Sequence, residues 1–156
     1  HFSTHGFLDP KSPLDSALVL SMPERLEGGR ENGLLQAWEI LERVRLEADL
    51  VVLSACSSGL GTELSGEGLV GLTRAFNVAG ARSVIASLWE VSDQITVELM
   101  TELYRGLRDG LPAAEALRRA QLSLISRRGS DTRSSAPYYW ATFQVFGASV
   151  RPGESQ

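Results

Sequence analysis

One cysteine, Cys56, and two histidines, His1 and His5, are the residues of this 156-residue chain whose types point to covalent chemistry. A thiol of ordinary acidity is only a few per cent thiolate at neutral pH, so a nucleophilic cysteine needs a neighbouring base. Imidazole suits that task because it titrates near the working pH. His5 is followed by Gly6, and Cys56 by Ser57-Ser58-Gly59. Glycine lets the backbone approach a substrate closely, and backbone N–H groups can stabilise a tetrahedral oxyanion. The expected constellation is therefore His5 as general base, Cys56 as nucleophile, and backbone amides at Gly6 and Cys56 as oxyanion donors. Against it stands the ordinary behaviour of a lone cysteine, which is more often a small buried core residue. Position must decide.

The elements that would position these residues alternate in type. His1 to Gly6 has the pattern of a strand running into a glycine turn, and Ala17-Leu18-Val19-Leu20 is a short apolar run. Leu34 to Leu46 carries apolar residues at helical spacing. Leu50-Val51-Val52-Leu53 and Ser83 to Trp89 are continuous apolar runs of the kind buried on both faces of a sheet. Leu69 to Val78 predicts a helix stopped by Ala79-Gly80. A helix capped by Asp93 and a second one from Pro112 follow, and Tyr139 to Phe146 predicts the last strand. Strands alternating with helices predict an α/β layered domain with a mainly parallel sheet, in which chemistry gathers at the carboxyl edge of the strands. His5 and Cys56 both fall at expected strand ends. His1 is placed deeper in the sheet, and Trp89 and Trp140 are expected in strands as core residues.

Composition narrows the function classes. The chain is 43% hydrophobic and 22% charged, with a formal net charge of −4, which leaves no basic footprint for nucleic acid. No apolar run approaches the roughly 20 residues of a membrane span. One cysteine forms no intramolecular disulfide, which fits a reducing compartment. No metal or cofactor is expected, because His1 and His5 lack companion ligands. The stretch from Gly59 to Gly68 imitates a phosphate loop in its glycines, but Glu67 stands where a lysine would neutralise phosphate.

The motifs together are more specific than any one of them. His1-Phe2-Ser3-Thr4-His5-Gly6 and Leu53-Ser54-Ala55-Cys56-Ser57-Ser58-Gly59-Leu60-Gly61 resemble the two catalytic motifs of the CHAT family, within the caspase–separase group of cysteine peptidases. The likeness continues through Gly66-Glu67-Gly68-Leu69, Ala79 to Val84, Ser87-Leu88-Trp89 and Tyr139 to Phe143. His5 and Cys56 are 51 positions apart, close to the caspase interval of about 50. The resemblance implies a caspase-like three-layer α/β/α sandwich over residues 1–149, lacking its N-terminal strands, with a tail over 150–156. It also implies a cysteine endopeptidase acting on protein or peptide substrates through His5 and Cys56. Regulated bacterial signalling or defence, a cytoplasmic setting and a tetratricopeptide-repeat region or regulatory partner upstream are implied in the same way.

Two departures bear on specificity. Ser54 stands where the caspase motif has Gln, and the glycine comes three residues after Cys56 rather than two. Relatives that cut after Arg or Lys carry Asp at the position of Ser54, and an uncharged Ser cannot pair with a guanidinium. Ser54 and Asp93 are therefore the candidate substrate-pocket residues. The competing function is a catalytically inactive caspase-like scaffold or interaction module.

Overall fold

The computed structural model describes residues 1–21, 32–54, 56–57, 66–126 and 136–148, with the backbone alone at 56, 57 and 66. Seven strands are seen among them: β1 (His5–Phe7), β2 (Ala17–Val19), β3 (Leu34–Gln36), β4 (Ala48–Leu53), β5 (Cys56–Ser57), β6 (Ala81–Ser87) and β7 (Phe143–Gly147). The helices are α1 (Ala37–Arg43), α2 (Gly66–Ala79), α3 (Asp93–Arg108), α4 (Ala113–Ser126) and the single turn α5 (Pro137–Trp140). They make a mixed α/β structure with two small sheets, ordered β3-β2-β1-β5 and β4-β6-β7.

The apolar runs behave as strands with two buried faces. Successive side chains of a strand point to opposite sides. In β4, Val51 and Leu53 join a cluster with Ile40 of α1 and Leu72, Ala75 and Phe76 of α2. Val52, between them, joins a separate cluster with Leu99 and Leu103 of α3 and Leu117, Ala120 and Leu124 of α4. In β6, Val84 and Ala86 belong to the first cluster and Ile85 to the second. Helices therefore cover both faces of the β4-β6-β7 sheet. Gly106 allows α3 and α4 to pack tightly, because a Cβ there would stand 3.0 Å from that of Ala116.

Among the described strands the pairing is mixed. β1 pairs with β5 and β4 with β6 in parallel, whereas β1·β2, β2·β3 and β6·β7 are antiparallel. A parallel neighbour needs a long crossover, commonly a helix. Only a 3-10 turn at Pro13–Asp15 lies between β1 and β2, so the chain returns beside itself.

Other expectations shift in detail. The helix expected from Leu34 begins as β3, with Leu35 on a rung with Leu18. It becomes helical at Ala37, after the Gln36 N–H donates to the Glu39 carboxylate at 3.1 Å. The expected strand from Tyr139 starts instead as α5, where Pro137 suits the first position of a helical turn. That turn is held by Trp89 Nε1 donating to the Tyr138 carbonyl at 2.8 Å and by the Tyr138 hydroxyl donating to the Glu90 carbonyl at 2.6 Å. Trp140 thus lies in α5 and Trp89 just beyond β6, both half-buried rather than in strands. Ser92, not Asp93, is the residue before α3, and Asp93 opens the helix. Gly6 lies inside β1 rather than in a turn after it. The glycine-rich stretch from Gly59 to Ser65, the loop at 127–135 and the tail at 150–156 lie outside the described residues.

Candidate active site

The β1 and β5 ladder puts His5 and Cys56 on one rung, followed by Gly6 and Ser57 on the next. Neighbouring strands lie about 4.8 Å apart. The same offset of 51 residues relates Phe2 to Leu53, which form an isolated parallel bridge. There the Phe2 N–H donates to the Val52 carbonyl at 2.8 Å and the Ser54 N–H to the Phe2 carbonyl at 2.9 Å. The chain entering β1 therefore runs along β4 and then along β5 in one register. Its rungs join the two sheets, with the His5–Cys56 rung just past the carboxyl end of β4.

His5 is exposed, and its imidazole has no hydrogen-bond partner among the described residues. Gly6 is buried, on a rung with Leu18 on one side and Ser57 on the other. Ser54 is half-buried, two residues before Cys56. Asp93 is exposed in the first turn of α3, where a carboxylate favours the helix dipole. No described contact links Asp93 to His5, Ser54 or Cys56. The structure thus brings His5, Gly6 and Ser54 to the neighbourhood of Cys56.

His1 was placed elsewhere by the sequence reading, and Tyr104 was not singled out by it. His1 is not a sheet residue; its Nε2 lies 2.9 Å from the Ser54 hydroxyl and its Nδ1 lies 2.8 Å from the Tyr104 hydroxyl. Its ring also stacks on Tyr104, with centroids 5.7 Å apart. Tyr104 follows buried Leu103 on α3, and burial pushes its phenol above the ordinary value of 10.0. An exposed-face aromatic on an otherwise amphipathic helix was the one available signal.

Residues 1–148 match the family model described as the CHAT domain. The chain belongs to the CHAT domain family. That family is part of the caspase-like peptidase superfamily. This CHAT chain is 36% identical over 118 residues to tetratricopeptide repeat protein 28 of Mus musculus, and 34% identical over the same length to its namesake in Homo sapiens. Those matches cover 76% of this chain but only 5% and 4% of the relatives, both of which are mammalian. Among the described residues of this CHAT domain, no helix is long and apolar enough to cross a membrane.

Proposed function

We propose that this CHAT domain is a cysteine endopeptidase working through a His5–Cys56 dyad. The observation that carries the proposal is the shared rung: the base and nucleophile candidates meet across one parallel ladder step, at the carboxyl edge of a strand buried on both faces. On this reading the exposed His5 imidazole takes the Cys56 thiol proton, and the thiolate attacks a peptide carbonyl. The oxyanion draws on backbone amides at Gly6 and Cys56. His5 then protonates the leaving amine, and water hydrolyses the acyl-enzyme. The reading treats the two sheets as parts of one caspase-like layer, and Ser54 as a wall of the substrate pocket. Asp93 belongs to that pocket only if substrate reaches the start of α3. A cytoplasmic setting, regulated signalling or defence, and a tetratricopeptide-repeat region acting as sensor belong to the same proposal.

The test is cleavage of a peptide library by the full chain beside Cys56→Ala and His5→Ala. Both substitutions should abolish turnover or nearly so. Cleavage that survives Cys56→Ala would end the assignment. Absence of cleavage, together with a Cys56 thiol that reacts no faster than a free one, would favour the scaffold reading instead.

A further inference from the structure

We propose that His1 is a positioning residue for the dyad: its imidazole ties Ser54 to α3 and so fixes the Cys56 segment against β1. The proposal rests on the peptidase reading for what the dyad does, and on separate geometry for how it is held.

Ser54 is gripped twice by consecutive residues. Its backbone N–H donates to the Phe2 carbonyl at 2.9 Å, and its hydroxyl lies 2.9 Å from His1 Nε2. The other ring nitrogen of His1 is 2.8 Å from the Tyr104 hydroxyl, and stacking on Tyr104 sets the ring plane at 19°. A neutral imidazole offers one donor and one acceptor, while each hydroxyl can play either part, so both bonds form in either tautomer. Phe2 and Leu53 form the last rung before the ladder resumes at His5 and Cys56. The His1–Ser54 bond therefore acts where backbone rungs lapse, two residues before the nucleophile. Base and nucleophile must stand within hydrogen-bond reach, and misplacement by about 1 Å can cost 10²-fold. A side-chain tie at that step bears on reactivity more than on folding.

The two ring nitrogens give the test its discrimination. A glutamine amide reaches as Nε2 does and can keep the Ser54 bond; an asparagine amide imitates Nδ1 and can keep only the Tyr104 bond. The measurement is the pH–rate profile of Cys56 alkylation by iodoacetamide in the full chain. It is made on the wild type, His1→Phe, His1→Gln, His1→Asn and His5→Ala, with far-ultraviolet circular dichroism to check folding. His1→Phe should slow alkylation about tenfold at neutral pH, the scale of one lost hydrogen bond, and move the midpoint towards that of a free thiol. His1→Gln should recover most of the rate and midpoint, and His1→Asn little. A folded His1→Phe with the wild-type rate and midpoint would overturn the proposal, as would rescue by Asn equal to that by Gln. Should His1→Phe fail to fold, the contrast between Gln and Asn decides alone. A wild-type rate indifferent to His5 overturns the peptidase reading and this proposal together. A rate that needs His5 but ignores His1 overturns only the positioning role.

Discussion

The two sheets of this CHAT domain are held in different ways. In β4 and β6 the apolar residues divide between two buried clusters, with α1 and α2 on one side and α3 and α4 on the other. In the other sheet the strands have two or three residues, and β1 exposes His5 and Phe7 around buried Gly6. Strands so short have little stability of their own. They are ordered by attachment: Leu18 of β2 is buried in the first cluster, and Phe2 bridges to Leu53 and packs on Phe76 with ring centroids 5.5 Å apart. The difference teaches where each task sits. The deeply packed sheet supplies rigidity, and the shallow one carries the candidate residues at its border, where His5 is exposed.

If the tasks separate in this way, substitutions should sort by sheet. The largest effect belongs to His5→Ala, which should lower peptide turnover by about 10²–10⁴-fold, the usual contribution of a general base. Its urea midpoint should stay close to wild type, since an exposed side chain away from special features changes stability by about 0.5 kcal/mol at most. A large loss of stability would break the comparison, because His5 would then be holding the fold.

Phe76→Ala is the counterpart on the other side. Phe76 is 2% exposed and lies in the cluster with Leu53 and Val84. Truncating it should cost about 3–5 kcal/mol in urea unfolding. Under conditions where the variant is still folded, Cys56 alkylation should keep its wild-type pH midpoint. A shifted midpoint would show that the core tunes the site directly.

The joint between the sheets can be sharpened with a double-mutant cycle. Phe2 and Phe76 are tilted at 42°, a geometry worth about 0.5–1.5 kcal/mol beyond area burial. Phe2→Ala and Phe76→Ala should therefore be non-additive by about that amount in unfolding free energy. Strict additivity would mean that the contact between the two rings does not help to hold the sheets together.

The same division explains what was legible in the sequence. β4, β6, α3 and α4 followed from apolar periodicity, because burial on one or two faces writes itself into residue spacing. The antiparallel β2 and β3 did not, since three-residue strands leave too short a pattern, and β3 was absorbed into the apparent helix from Leu34. Tyr139 and Trp140 imitated a strand through aromatic content, yet Pro137 and the hydrogen bonds to Trp89 and Glu90 make a helical turn there. At the candidate site, His5 and Cys56 stood out by residue type and motif. Their common rung is a tertiary fact that no local spacing encodes. His1 was misplaced because a histidine four residues earlier fits a strand equally well, while its real partners, Ser54 and Tyr104, are 53 and 103 positions away.

Tyr104 gives the smallest expected effect, and it tests whether α3 truly reaches across to the shallow side. Burial raises its phenol above the ordinary 10.0 in the folded chain. Below that pH both folded and unfolded states keep the proton, so the group adds no pH dependence. As pH rises past it, the unfolded chain loses the proton first and binds fewer protons than the folded one. The free energy of unfolding must then fall with pH until the folded phenol also ionises. As pH rises past about 10, wild type should accordingly lose stability by a component that Tyr104→Phe lacks. The wild-type urea midpoint should fall relative to that of Tyr104→Phe as pH rises, because the folded chain disfavours the phenolate and phenylalanine has no proton to lose. Parallel curves across that range would mean that the Tyr104 hydroxyl is as well solvated in the folded chain as in the unfolded one. The contact of α3 with His1 would then be too loose to hold the His1 imidazole on Ser54.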